Sequence, residues 1–418
     1  MGCAILLQKI LKLGGYLGAA LSRIYLFPLY FLSGFVPRKA NLWVFGSWGG
    51  YRYADNGAAF FEYCNQQNSD YVEPVWISRR VAIVRALRKK GYKAHWIWSP
   101  LGIWCCLRAK LYVYDCFSKD INYWLSRGSK HINLWSGVPL KTFERDIDRP
   151  GGRYYRLFHG SLPERLLLSC LMPWHVRRPD QVICTSEETR KIICSAFAIG
   201  PEQVHITGYP RNDIFFSSVD GMAGLPASFT AIKESGKFSI LYLPTFRDSG
   251  GDYHDIDWQE LDKLMSELNA HFFMKFHPVD SSAFTGEYDN ITLLPSNIEI
   301  YDLLAHTDAM VSDYSSIVWD YMLVDKPLFY YVPDLEEFVS SSRSFNFDIR
   351  EVAIGPVCES FADLSTSIRK VVGGVVPDSL APARRGDIVP RIHRYVDGDA
   401  SSRVLNILEN YAFKDQPG

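Results

Sequence analysis

The sequence predicts an α/β protein with two domains, each built around a parallel sheet. Its 418 residues, 47% of them hydrophobic, exceed the roughly 250–300 residues at which a single core stops growing. From Asn41 onward, short apolar runs alternate with longer helical patterns, and this βαβ rhythm is typical of parallel sheets. Length and rhythm together favour two cores over one.

Two groups of apolar runs are predicted as strands. The first half contains NLWVFGS, PVWIS, AHWIW, KLYVYD, INLWS and QVICTS, and the second contains SILYLPT, AHFFMKFHP, ITLLPS, AMVSD and PLFYYVP. Residues 214–238 lie between the groups, are rich in Ser and Gly, and show no strand pattern, so they are predicted to form a linker. The domains are therefore predicted at 41–213 and 239–375. The tail at 376–418 is predicted to end in a helix that packs back across both.

Residues 1–40 form a predicted membrane-associating helical segment. The chain has several cations but no acid before Asp55, and this asymmetry favours an anionic membrane surface. Arg23 and Pro28 interrupt the apolar stretch, and an Arg inside a bilayer is costly, so an in-plane anchor is favoured over a spanning helix. A buried N-terminal helical hairpin is the alternative interpretation.

The overall charge and the cysteines exclude several classes of function. Lys and Arg total 45 against 46 Asp and Glu, giving a net charge of −1, so nucleic acid is not an expected partner. The nine cysteines show no CxxC pair, which favours reduced thiols in a cytoplasmic protein. The sequence contains neither a Walker A pattern nor GxGxxG after a strand. We assign no metal site.

Polar residues follow several predicted strands of the second half, where ligands of open α/β sheets bind. Arg247 follows LYLP, His277 and Pro278 follow FFMKF, and Asp334 follows LFYYVP. Arg247 offers a planar cationic fork for a phosphate, or else a salt bridge to a surface acid. His277 is a candidate to donate to a phosphate oxygen or to protonate a leaving group, although a lone His is more often structural.

The motif SDYSS, residues 312–316, supplies a further strand ending. Ser315 and Ser316 stand before the predicted helix IVWDYMLVD, where hydroxyls and unpaired backbone N–H groups would form a phosphate seat. Ordinary N-capping is the alternative explanation. Arg211 in ITGYPRND is a second cationic candidate. A nucleoside diphosphate held by these groups, in a two-domain chain at a membrane, suggests a transferase that acts on lipid-linked material.

These motifs resemble those of the CDP-glycerol glycerophosphotransferases of teichoic acid and capsule polymer synthesis. The resemblance runs from about Asn41 to Phe338. It rests on ordered motifs, which are YADNGAAFFEY, NLWSGVPLK, ITGYPRND, ILYLPTFRD, MKFHPVD and DLLAHTDAMVSDYSSIVWDYMLVDKPLFYYVPDLEEF. It implies a GT-B fold, with two Rossmann-like domains facing a cleft, and an enzyme at the cytoplasmic face of the bacterial inner membrane as a peripheral protein.

The resemblance also implies the reaction and its donor site. The family moves a polyol phosphate from CDP-glycerol or CDP-ribitol to a hydroxyl of a polymeric or lipid-linked acceptor, and CMP is released. No cofactor or metal is required beyond this CDP-linked donor. The residues that match the donor site are Arg211, Arg247, His277 with its neighbour Pro278, Asp313, Ser315 and Ser316. A GT-B glycosyltransferase that uses a nucleotide sugar is an alternative, since the fold permits many donors.

Ser136 departs from the family pattern. That pattern is typically WHGxPLK, with the His regarded as the base, whereas this chain reads WSGVPLK, and serine cannot act as a general base at neutral pH. Three explanations follow. Asp115 or His159 is the base; positioning and charge stabilisation suffice; or the protein binds donor as a weakly active or non-catalytic family member.

Overall fold

A computed structural model describes residues 23, 25–67, 71–217, 224–245, 256–276, 286–295, 298–341, 344–375 and 377–413. Within these ranges the chain forms two sheets in which every strand pair is parallel. The predicted α/β class with parallel sheets is therefore confirmed.

The strands of the two sheets follow one another along the chain. The first sheet contains β1 (Lys39–Gly46), β2 (Glu73–Ser78), β3 (Ala94–Trp96), β4 (Ala109–Tyr114), β5 (Lys130–Asn133), β6 (Gln181–Cys184) and β7 (Val204–Ile206). The second contains β8 (Phe238–Leu243), β9 (Ala270–Met274), β10 (Ile291–Leu293), β11 (Ala309–Ser312), β12 (Leu328–Tyr331) and β13 (Val357–Cys358).

The strand orders explain where a ligand site forms. The first sheet has the order β3-β2-β1-β4-β5-β6-β7, and the second has the order β10-β9-β8-β11-β12-β13. In each sheet the chain order changes direction between two neighbouring strands, which are β1 and β4 in the first sheet and β8 and β11 in the second. The loops that follow these two strands run to opposite sides of the sheet and leave a crevice at the carboxyl ends of the strands. All the predicted strands are present. The short β7 and β13, of three and two residues, were not predicted. The equally short β3 and β10 lie in the longer apolar runs AHWIW and ITLLPS.

Helices connect the strands. The first half has α1 (Asp55–Gln66), α2 (Val81–Lys89), α3 (Pro100–Arg108), α4 (Arg153–His159), α5 (Leu162–Leu171), α6 (Pro173–Val176) and α7 (Glu187–Phe197). The second half has α8 (Ala227–Glu234), α9 (Trp258–Glu267), α10 (Ile300–His306), α11 (Ile317–Tyr321), α12 (Leu335–Ser341), α13 (Ile349–Val352) and α14 (Phe361–Val372), and the tail has α15 (Pro382–Ile392) and α16 (Ala400–Phe413). Short 3₁₀ turns include Trp48–Gly50 and Pro210–Phe215.

The two halves share one apolar cluster that runs from Trp43 of β1 to Trp319 of α11, both fully buried. The tail contacts both halves. Its helix α16 packs on α1 and on the turn Pro210–Phe215, while His393 lies 2.7 Å through Nε2 from the carbonyl oxygen of Trp319. This arrangement fixes the relative position of the sheets, and with it the width of the crevice between them.

The predicted membrane segment falls largely outside the described residues, because 1–22 and 24 are not among them. Residues 25–33 are helical and attach to the first half, where Tyr30 stacks on Tyr123 with ring centroids 4.8 Å apart. In the ranges given above, no helix combines the length and the apolar character that crossing a bilayer requires.

Candidate active site between the two halves

The crevice between the sheets is an open cavity of about 820 Å³. Its first wall comes from the loops after β1 and β5, and its second from the loops after β8, β9 and β11. The polar and charged residues in its lining are Arg52, Ser136, Lys141, Thr142, Thr245, Lys275, Ser315 and Ser316. A second cavity of about 520 Å³ adjoins it and shares Arg52, Ser136 and Lys275.

The corner after β5 is built as a rigid turn. Trp135 has φ of 53° and Gly137 has φ of 142°, so both residues hold conformations that are unusual for L side chains. The buried Asn56 stabilises the corner, because its Nδ2 donates to the carbonyl oxygens of Leu134 and Trp135 at 3.3 and 2.7 Å. Ser136 is half-buried and lines the cleft.

The loop that follows this corner pairs with the second half as a short antiparallel ladder. Thr142 N donates to Ser344 O at 2.9 Å, and Asn346 N donates to Leu140 O at 2.7 Å. The Asn346 side chain adds a hydrogen bond from Nδ2 to the carbonyl oxygen of Pro139 at 2.9 Å. This ladder closes one end of the cleft, since backbone bonds there join loops that belong to different sheets.

Arg211 lies in a buried ion-pair network at the floor of the cleft. Its guanidinium pairs with Asp55, donates to Asp320 Oδ2 at 2.6 Å and donates to the carbonyl oxygen of Ser136 at 2.8 Å. Burial by itself lowers the pKa of Arg211, but the carboxylates of Asp320 and Asp55 outweigh it and raise that pKa. Arg211 was predicted as a donor ligand. The structure gives its charge two protein partners, although the residue also lines the smaller cavity.

The second wall carries the predicted serines. Ser316 is exposed and Ser315 half-buried, and both line the cleft opposite Gly137. The helix predicted over 317–325 is shorter in the structure, where α11 ends at Tyr321 and turns follow, so the predicted length was wrong. Asp325 has φ of 58° and Pro327 restricts the residue before it, so the helix cannot continue. A phosphate seat here would depend on hydroxyls and N–H groups more than on a helix dipole.

Asp313 is buried and positions the loop after β8. Its carboxylate accepts hydrogen bonds from Thr245 N at 3.0 and 2.9 Å and from Thr245 Oγ1 at 2.5 Å. These hydrogen bonds hold Thr245 in place, two positions before Arg247 in the sequence. Arg247, His277 and Pro278 themselves lie outside the described residues. Thr245 and Phe276, which precede these segments, both line the cleft.

Three cations of the cleft were not assigned from the sequence, and these are Arg52, Lys141 and Lys275. Lys275 makes no ion pair within the described ranges, and burial lowers the pKa of its amine while Glu299 opposes this effect. Arg52 is exposed, with its guanidinium carbon 5.5 Å from the ring centroid of Trp48. Lys275 could have been found from its place in MKFHPVD, two residues before His277 at a strand end. No sequence pattern indicated that Arg52 would line the cleft.

The two alternative bases do not line the cleft. Asp115 is fully buried at the end of β4, where Oδ1 accepts a hydrogen bond from Gly57 N at 2.6 Å. Burial, together with the charge of Asp55, raises the pKa of Asp115. His159 is exposed on α4, and its Nε2 lies 2.8 Å from the carbonyl oxygen of Arg145. In this structure neither group is placed to reach an acceptor hydroxyl in the cleft.

Two parallel-sheet halves facing a cleft, with hydroxyls and cations at the carboxyl ends of the strands, define a protein of the GT-B class. The sequence profile of one family, the CDP-glycerol:poly(glycerophosphate) glycerophosphotransferases, matches residues 28–410. The chain belongs to this family of transferases, and the resemblance seen in the motifs is confirmed.

Individual relatives agree with this assignment. The chain is 27% identical over 239 residues to the teichoic acid ribitol-phosphate primase of Bacillus spizizenii, covering 56% of this chain and 59% of that protein. It is 25% identical over 371 residues to the teichoic acid poly(glycerol phosphate) polymerase of the same organism, covering 84% of this chain and 88% of the relative. The solved wall teichoic acid polymerase TagF superposes with a TM-score of 0.71 and 19% identity over 96% of this chain and 99% of that chain, which shows a shared fold.

Proposed function

We propose that the protein transfers a polyol phosphate from a CDP-linked donor to a hydroxyl of a polymeric or lipid-linked surface-glycan acceptor, releasing CMP. Glycerol phosphate is the favoured group and ribitol phosphate the second. The observation that carries this proposal is the cleft in which Ser315, Ser316 and Lys275, which has no ion pair to another described residue, face the Ser136 corner. Family membership supplies the donor class.

The chemistry suits such a cleft. The acceptor oxygen attacks the β-phosphorus of the donor, the new P–O bond forms as the bond to the CMP oxygen breaks, and the hydroxyl proton passes to solvent or a base. Charge spreads over the phosphoryl oxygens in the transition state, so positioned cations and N–H groups supply most of the stabilisation. Lys275 and Arg52 line the cleft and would supply positive charge to the transferred phosphoryl group. Arg247 and His277 are predicted to bind the same group.

CMP release tests the proposal directly. Purified protein is incubated with CDP-glycerol or CDP-ribitol and a membrane-extract acceptor, and His277→Ala and Arg247→Ala are expected to abolish the release of CMP. His159→Ala is the matched control, because His159 is exposed and does not line the cleft. A thermal-shift panel that adds UDP-sugars and CMP-sugars identifies the donor by stabilisation. Absence of CMP from both CDP-polyols, with stabilisation by a UDP-sugar, would refute polyol phosphate transfer.

A non-catalytic donor-binding role is the second candidate, and Ser136 is the observation that favours it. Asp115 and His159 do not line the cleft, so neither of these two candidates is placed to act as the missing base. If wild type binds CDP-glycerol without turnover while Ser136→His releases CMP, this role is supported. Efficient turnover by wild type rules it out.

We also propose that the protein binds the cytoplasmic face of the bacterial inner membrane as a peripheral protein. Exposed apolar side chains support this. Tyr25 begins the helix at 25–33 and Phe35 follows it, with 82% and 83% of their surface exposed, and α5 exposes Leu162, Leu166 and Leu167. The guanidinium carbon of Arg23 lies 5.8 Å from the ring centroid of Trp174 on α6, which follows α5. These segments would therefore face one surface.

Sedimentation with vesicles tests the membrane proposal. A cut after residue 22 removes no described residue, whereas a cut at 40 would remove Arg38, which donates to the carbonyl oxygens of Cys106 and Ser33. We expect this truncation, and separately the change of the three exposed α5 leucines to Ser, to weaken binding to anionic vesicles. Val396→Ser, a change at another exposed apolar position, is the control. Full sedimentation of the truncated chain would exclude the anchor.

A further inference from the structure

Two exposed aromatic side chains stand on the first wall of the cleft. Trp48 and Tyr51 follow β1 and keep 46% and 54% of their surface exposed, and both line the cleft. Large aromatic side chains stabilise a fold when they are buried. Here much of each side chain is left outside the core, at the edge of the cavity.

The loop that carries them is held in one conformation. Trp48, Gly49 and Gly50 have φ of 47°, 67° and 81°. The two glycines adopt such values readily, whereas the surroundings must offset the strain of Trp48. The buried Asp120 accepts a hydrogen bond from Gly49 N at 2.8 Å. Gly50 O accepts from Arg79 N at 2.8 Å and from Ser78 Oγ at 2.9 Å.

The orientation of Trp48 leaves a ring face as its available binding surface. Its Nε1 already donates to Asp55 Oδ2 at 3.2 Å, so the polar edge of the indole is committed. The guanidinium of Arg52 lies over the indole ring, with its carbon 5.5 Å from the centroid, so a ligand ring would stack on the other face or exchange places with this cation. A flat apolar face with a cationic fork beside it suits a ring that has one face of C–H bonds and hydroxyls around its rim.

We propose that Trp48 and Tyr51 form a sugar-ring subsite for the acceptor. This inference rests on the proposed function and adds a location and a chemical class to it. The loop belongs to the same wall as Ser136 and faces the wall that carries Ser315 and Ser316. A pyranose stacked on Trp48 would hold a hydroxyl on the acceptor side of the cleft, with Arg52 placed to donate to its hydroxyl oxygens. A linear polyol phosphate has no comparable ring to stack.

Saturation-transfer NMR on the full chain tests the subsite without turnover. The probes are methyl N-acetyl-β-glucosaminide, N,N′-diacetylchitobiose and, as a non-sugar, glycerol 3-phosphate. We expect transfer to the ring C–H protons of both sugars, with affinity about tenfold weaker in Trp48→Ala and within about threefold of wild type in Trp48→Phe. Trp104→Ala is the control, because Trp104 is 58% exposed on α3 and does not line the cleft.

The outcomes separate the subsite from the proposed reaction. Sugar transfer that is lost in Trp48→Ala and kept in Trp104→Ala supports the subsite, whether or not CMP is released. CMP release from CDP-glycerol without any sugar transfer refutes the subsite and leaves the reaction standing. If CMP displaces the sugars and Trp48→Ala raises the KM for the CDP donor, the aromatic faces hold the nucleobase and the subsite is refuted. Unchanged sugar binding by Trp48→Ala also overturns it.

Discussion

Replacing Arg211 with Met should destabilise the protein far more than a surface ion-pair deletion. The Arg211 side chain is 6% exposed, and its carboxylate partners Asp55 and Asp320 are 7% and 0% exposed. Met fills a similar volume but leaves both carboxylates without a cation. Breaking a buried ion pair in this way costs about 3–5 kcal/mol, because an uncompensated charge remains buried. Tyr301 OH and Asn212 Nδ2 still donate to Asp320, at 2.8 and 2.9 Å, but neither carries charge.

The measurement is equilibrium urea unfolding together with calorimetry. At roughly 2–4 °C per kcal/mol for domains of about 200 residues, the Tm should fall by about 6–20 °C. Because Asp320 belongs to the second half and Asp55 to the first, we also expect a single transition of wild type to separate into two. Asp320→Asn keeps an acceptor without the charge, so combining it with Arg211→Met should recover part of the loss, which a double-mutant cycle measures.

Arg350→Met is the matched control for this experiment. Arg350 pairs with Glu359 at 2.6 Å, but the two side chains are 56% and 55% exposed, and solvent screening leaves such pairs with little effect on stability. The reasoning is refuted if Arg211→Met loses no more stability than Arg350→Met. That result would mean that water or rearranged side chains compensate the two buried carboxylates.

Three further changes test single features of the fold and the cleft. Gly137→Ala adds a Cβ 3.0 Å from Arg211 Nη2 and 3.3 Å from Ser316 Cβ, so it should cost about 1–3 kcal/mol and raise the donor KM, as urea unfolding and steady-state kinetics would show. Burial raises the pKa of Asp213 to about 6, so its folded form holds a proton that the unfolded chain releases near 4. Relative to Asp213→Asn, wild type should therefore lose stability as pH rises from 4 to 6, by about 2–3 kcal/mol, whereas a gain over that window would contradict this sign. Asp115→Asn should lower kcat less than fivefold if Asp115 is not the base, against about 10²–10⁴-fold if it is.

The strands and the motif order could be predicted from the sequence, whereas the partners of Arg211 could not. Apolar runs bounded by turn residues report strand positions locally, so each predicted run overlaps a strand. Arg211 follows a Gly-Pro turn and looks like an exposed cation, yet its carboxylate partners lie 156 and 109 positions away. No local pattern encodes a contact across two sheets. The strand order and the returning tail decide it, and only the structure supplies them.

The corner at Ser136 shows why a missing base does not by itself indicate an inactive protein. Asn56 and Arg211 both hold the backbone of this corner, and Gly137 allows it to approach Ser316 closely. A corner kept only for a general base would have no need of this support once the base is absent. Phosphoryl transfer depends mainly on positioning and charge stabilisation, and these contacts preserve positioning. Ser136→His should therefore raise kcat of an already active enzyme by restoring proton removal, and a Ser136→His variant without any gain would place the base elsewhere.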